Sequence, residues 1–131
     1  MKNKYSLDFW NKYYKEERKI QIKPKGGFFN SYDIFLCDKI LEKYLPFNKG
    51  NKEQIKICEI GSGDGKLLKK IADKFNYKPF GIEYALKSTK QAEEIGINVI
   101  EKDVFDSAIL EKYKEYFDVV YSYGFAEHIM P

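Results

Sequence analysis

Arginine is nearly absent from this chain. Of its 23 basic residues 22 are lysine and only Arg18 carries a guanidinium, which leaves little scope for bidentate contacts to phosphates or base edges. No alternation of arginine with aromatics marks an RNA-binding surface. Residues 1–25 hold eight Lys/Arg against three Asp/Glu, a basic head that could touch nucleic acid or an anionic substrate, but a solvated lysine face is the reading adopted, and nucleic acid is not the expected partner. Histidine is represented by His128 alone and cysteine by Cys37 and Cys58, too few ligands in too scattered a pattern for a metal site. The two cysteines read as buried thiols of a reducing compartment rather than a disulfide. No apolar run approaches the roughly 18 residues a membrane span requires, and no signal-peptide core follows Met1. The expectation is a cytoplasmic protein without internal repeats or low-complexity tracts.

Glycine is concentrated where it is informative. Residues 58–65 read Cys-Glu-Ile-Gly-Ser-Gly-Asp-Gly, directly behind the apolar run Ile55-Lys56-Ile57-Cys58. Without a Cβ, Gly61, Gly63 and Gly65 allow positive φ and the close approach of a ligand, with Ser62 between them, while Glu59 closes the strand with a fixed acceptor. Leu67, Leu68, Ile71, Ala72 and Phe75 then recur at helical steps. Strand, glycine turn and helix form the first half of a nucleotide-binding βαβ unit. The dinucleotide fingerprint would place its third glycine at position 66, where this chain has Lys66, so a pyrophosphate reader is disfavoured. A P-loop needs four residues between its glycines followed by Lys and Ser or Thr, whereas Gly61 and Gly65 enclose three and Lys66 precedes Leu67.

Three further segments follow in order. Lys78-Pro79-Phe80-Gly81-Ile82-Glu83 is a short apolar strand ending in an acid 22 positions after Gly61. A carboxylate there can accept from the two hydroxyls of a ribose diol, the alternative being a solvated acid at a strand end. Ile97 to Val104 is a strand running into Asp103, which either serves a ligand or caps the next turn. Phe117-Asp118-Val119-Val120-Tyr121-Ser122-Tyr123-Gly124 is a buried strand opening into a loop. Right-handed crossovers set strands one and four side by side with their helices on opposite faces, so Ser122 and Tyr123 should face the crevice between them.

The pattern E-x-G-x-G-x-G after a buried strand, with these later segments in order over residues 55–128, resembles the class I S-adenosylmethionine-dependent methyltransferases. The resemblance implies an α/β, Rossmann-like three-layer sandwich with a parallel sheet ordered 3-2-1-4 and S-adenosylmethionine as cofactor. It implies that Asp103 meets the adenine amino group, that the Val104 amide serves a ring nitrogen and that Tyr84 lays its ring against the base. His128, after Glu127, falls near the methionine end or the substrate entrance. It is a candidate for catalysis, although neighbours in sequence point in different directions and do not form a direct acid/base pair. The chain lacks the Asn/Asp-Pro-Pro-Tyr of the family's enzymes for adenine, cytosine N4 and glutamine, and neither cysteine follows a proline as in the carbon-5 cytosine enzymes. By exclusion, the acceptor is a small molecule.

Length departs from the family, whose domains carry seven strands. This chain stops at Pro131 just after its fourth, so it reads as an N-terminal portion of a longer enzyme, or as one that self-associates or borrows strands from a partner through the exposed edge of strand four. Residues 55–131 form the cofactor-binding half domain and residues 1–54 a helical cap or lid. In that cap, Asp8 to Ile20 suits a surface helix and Ser31 can cap a second helix carrying Phe35, Leu36, Ile40, Leu41, Tyr44 and Leu45 until Pro46. Asn48 to Asn51 links cap to sheet, and Trp10, Tyr14, Phe28 and Phe29 are candidates for lining the pocket. The expected chemistry is attack of an acceptor atom on the sulfonium methyl, with the protein contributing mainly orientation. Two other functions remain open: a non-catalytic S-adenosylmethionine-binding subunit completed by a partner, and a Rossmann oxidoreductase using NAD.

Overall fold

The computed structural model describes residue 12, residues 36–45 and residues 53–126. The expected segment Asp8 to Ile20 is therefore represented by Lys12 alone, which is helical and exposed. The proposed lid residues Trp10, Tyr14, Phe28 and Phe29, the cap at Ser31, the linker at 48–51, and Glu127 with His128 lie outside the described residues.

Four parallel strands form the sheet: β1 (Lys56–Ile60), β2 (Lys78–Glu83), β3 (Asn98–Glu101) and β4 (Val119–Ser122). Their order is β3-β2-β1-β4, as expected from the sequence. Helix α1 is described from Leu36, π-helical over Leu36–Leu41 and α-helical over Glu42–Tyr44. Helices α2 (Lys66–Phe75), α3 (Leu86–Glu94) and α4 (Ser107–Lys112) join the strands.

Side chains alternate across a strand, so successive residues of β1 serve opposite layers. Ile57 packs with Leu68, Ile71, Ala72 and Phe75 of α2 and Ala92 of α3, and Leu41 and Leu45 join the same cluster, which docks α1 onto this face. A Lys74–Glu42 ion pair of 3.4 Å adds a polar tie between α2 and α1. Cys58 faces the other way, into a cluster with Phe80, Ile82, Ile100 and Ile109 of α4. The short α4 covers little of that face by itself. The rings of Phe80, Tyr113, Tyr116 and Phe117 extend the cover, with centroids 5.1 Å (Tyr116–Phe117) to 5.7 Å (Phe80–Tyr116) apart.

Local sequence explains the element ends. Asn76 closes α2 in the left-handed conformation, its N–H donating to the Ala72 carbonyl, a cap that asparagine tolerates better than most residues. Asp106 caps α4, its side chain accepting from the Ala108 N–H at 2.9 Å. Asp118 fixes the start of β4 against β1. Its Oδ2 accepts from the Lys56 N–H at 2.7 Å and its own N–H donates to the Lys56 carbonyl at 3.0 Å. The β1–β4 pairing then runs from Ile57↔Val119 to Ile60↔Ser122. Because α2 and α4 occupy opposite faces, the sheet changes winding direction between β1 and β4, and a crevice opens beyond their carboxyl ends.

Two substitutions test this packing by chemical denaturation. Phe75→Ala removes a fully buried ring and should cost about 3–5 kcal/mol. Gly81→Ala should cost about 1–3 kcal/mol through overpacking, because a Cβ there would fall on Ser62 Oγ and 2.8 Å from Ser62 Cβ. Ser62→Gly in the same chain should recover part of that loss, whereas purely additive costs would contradict the contact.

Candidate functional site

The glycine turn runs from β1 into α2, and Gly61, Gly63 and Gly65 all have positive φ, at 71°, 56° and 72°. Side-chain-bearing residues are strained in this region, so the triplet permits a tight curl. The curl turns the main chain inward. The Gly61 N–H donates to the Ile82 carbonyl at 2.9 Å, the Gly65 N–H to the Ser62 carbonyl at 3.0 Å and the Lys66 N–H to Asp64 Oδ1 at 3.3 Å. These amides are committed within the protein rather than left as a cradle for phosphate.

Glu83 is the other half of this arrangement. It ends β2, is buried, and accepts three backbone hydrogen bonds: Gly63 N–H to Oε2 at 3.0 Å, and Tyr84 and Ala85 N–H to Oε1 at 2.8 and 2.9 Å. A carboxylate offers roughly four lone-pair positions. One position on Oε2 therefore remains, enough for a single ribose hydroxyl without displacing an amide. Accepting both hydroxyls of a diol would require the Gly63 contact to open.

Glu59 is buried as deeply as Glu83, and Tyr121, its register partner on β4, donates a hydrogen bond from its hydroxyl to Glu59 Oε2 at 2.9 Å. Burial pushes the Glu59 carboxyl up to about 8; the Tyr121 hydrogen bond acts against that rise and the neighbouring Glu83 adds to it. Among the described residues neither Glu59 nor Glu83 has a cation as partner, because Asp64 takes Lys66 at 3.3 Å and the remaining ion pairs lie on the helices. Without a countercharge, burial holds Glu59 toward its protonated form, and an arriving positive group would favour its ionised form.

The other residues singled out in the sequence divide between the crevice and the packing behind it. Ser62 is buried with its Oγ unpartnered among the described residues and packed against Gly81, behind the turn. Gly65 adjoins Ile97 and Ala92, where a Cβ would lie 2.8 Å from Ile97 Cγ1. Tyr84 lies close enough to Glu83 and Asp103 for both charges to raise its phenol beyond the effect of burial. Asp103 is exposed and caps its turn, Oδ1 accepting from the Phe105 N–H at 2.9 Å, so the capping alternative is realised and Oδ2 is the oxygen left for a ligand. Val104 packs at the edge of the cluster around Ile100, while Ser122 and Tyr123 are exposed at the end of β4.

Three residues at the site escape a sequence reading. Tyr121 looks like one more apolar strand residue, and only its register opposite Glu59 reveals the hydroxyl's role. Gly81 looks incidental, yet it makes room for Ser62. Phe125 carries no local signal, but its ring lies on the Gly61 backbone, so that a Cβ at position 61 would fall within 2.7 Å of Phe125 Cγ and 2.9 Å of its Cβ.

The family model described as "Methyltransferase domain" matches residues 29–131. No curated protein matches the chain. Among solved structures, the plantazolicin methyltransferase BpumL in complex with a pentazolic desmethylPZN analog and SAH is similar with 17% identity and a TM-score of 0.47, over 76% of this chain and 40% of that one. YjhP from E. coli is similar with 19% identity and a TM-score of 0.32, over 56% of this chain and 37% of that one. The chain thus spans 40% of the length of BpumL. Because the family model covers most of the sequence and the sheet has the 3-2-1-4 order, this chain belongs to the methyltransferase-domain family.

Proposed function

We propose that this chain binds S-adenosylmethionine across the carboxyl ends of its strands and forms the cofactor-binding part of a methyltransferase acting on a small-molecule acceptor. The observation that carries the reading is the pair of buried, uncompensated carboxyls, Glu59 and Glu83, at a glycine turn whose own amides are committed. A pyrophosphate would meet two acids and few open amides, whereas a sulfonium nucleoside brings positive charge and a ribose. Adenine then lies by Tyr84, Asp103 and the Val104 amide, the ribose at Glu83, and the amino-acid end over β1 and β4 near Glu59, Ser122 and Tyr123. The cofactor supplies the reactive methyl, and the residues named here hold and orient it. Residues 55–131 carry this function with residues 1–54 as a cap, and a cytoplasmic setting is supported by the buried thiol of Cys58.

A partner is also part of the proposal. β4 pairs only with β1 among the described strands, and Val120 on it is 54% exposed. An apolar, β-prone edge of this kind is completed by further strands, from a second copy or a partner chain. Sedimentation should show self-association that Val120→Lys abolishes without unfolding the chain; a wild-type monomer at all concentrations would rule out the second copy.

Calorimetry tests the cofactor. S-adenosylhomocysteine should bind and NAD should not, and Glu83→Ala should weaken binding about tenfold through loss of a hydrogen bond to a charged acceptor. Glu83→Gln, which retains the shape, and a thermal melt separate lost contact from lost fold. NAD binding as tightly as the homocysteine would overturn the reading.

A further inference from the structure

Beyond their last register pair, Ile60↔Ser122, β1 and β4 leave the sheet side by side, β1 into the glycine turn and β4 into the loop that follows it. Gly124 bends that loop with a φ of 72°, in the left-handed region. Phe125 then rests on the Gly61 backbone: a Cβ at position 61 would fall on the ring's Cδ2 and 2.7 Å from its Cγ. The ring therefore bridges the mouth of the crevice between β1 and β4, where an open α/β sheet takes its ligands. Its hold on the core is slight. Phe125 is only half-buried, Ser122, Tyr123, Gly124 and Ala126 around it are exposed, and neither core cluster of the described residues includes it. A ring that served only to fill the core would sit inside one of those clusters, as Phe75 does.

Resting on the cofactor reading above, we propose that Phe125 is a gate: its ring closes the crevice over Gly61 and must swing off that turn, with Gly124 as the hinge, before the cofactor's amino-acid end can lie across β1 and β4. Ring and ligand compete for one surface, the Cα face of Gly61, which the missing side chain leaves open to either. Part of the binding free energy goes into moving the ring, so the apparent affinity is reduced to the fraction of chains whose loop stands open. That cost falls only on ligands that reach over β1. A nucleoside without the amino-acid end uses the places assigned at Tyr84, Asp103 and Glu83 and leaves the ring where it is. The position of the loop after β4 is thereby linked, reciprocally, to whether the amino-acid end is in place.

The test is calorimetry on the full chain with two probes, S-adenosylhomocysteine and adenosine, which has a base and a ribose but no amino-acid end. Phe125→Ala should tighten homocysteine binding about three- to tenfold, because the closed fraction no longer subtracts from the affinity, and should leave adenosine unchanged. A thermal melt checks that the variant is folded. A second measurement needs no substitution: the nuclear Overhauser contact between the Phe125 ring protons and the Gly61 Hα protons should be present in the ligand-free chain, persist with adenosine and vanish with the homocysteine. Homocysteine binding that Phe125→Ala weakens or leaves unchanged, or an Overhauser contact that survives the homocysteine, would overturn the gate and leave the cofactor reading standing. If neither probe binds folded wild-type or Phe125→Ala chain, the cofactor reading falls and the gate with it.

Discussion

The hydrogen bond from the Gly63 N–H to Glu83 Oε2, 3.0 Å long and buried, ties the glycine turn of β1 to the end of β2. The rest of the site depends on that tie. It requires a turn that curls with positive φ at three alternate residues, which only glycine adopts without strain. It also requires β1 and β2 to be adjacent and parallel with Ile60 beside Ile82, so that the turn and the acid leave the sheet at the same level. Hydrogen bonds from Tyr84 and Ala85 lock the other carboxylate oxygen, so the acid cannot rotate without losing three partners at once. The result is a carboxylate of fixed orientation with one acceptor position left.

Electrostatics follow from the same geometry. Bringing the turn down onto β2 buries Glu59 next to Glu83, and the sheet supplies only a phenol, Tyr121, in compensation. Such a cost is tolerated in proteins mainly where function demands it. Within a methyltransferase-domain chain, a site short of positive charge and rich in committed amides is the complement of a cationic nucleoside rather than of a phosphate.

Much of this was legible in the sequence because it is written in local pattern. The glycine triplet, the helical spacing from Leu67 to Phe75 and the acids at positions 59, 83 and 103 each declare themselves within a few residues. The strand order was implied by the resemblance to the class I methyltransferases, and the sheet has that order. What was not legible depends on register and on contacts between distant segments. Tyr121 acquires its role only because Asp118 pins β4 so that position 121 lies opposite 59. Gly81 is needed because Ser62 turns inward. The expectation that Glu83 could take a whole diol counted its oxygens but not the three amides that the fold brings to them.

The central claim is that a buried acid pair at the glycine turn receives a cationic nucleoside. A crystal structure of the chain with bound S-adenosylmethionine tests it most directly. The account predicts one ribose hydroxyl on Glu83 Oε2 with the Gly63 hydrogen bond intact, the adenine beside Tyr84, and the amino-acid end over β1 and β4 with the Phe125 ring displaced from Gly61. A ligand seated elsewhere, with that ring still resting on Gly61 and both acids untouched, would contradict it.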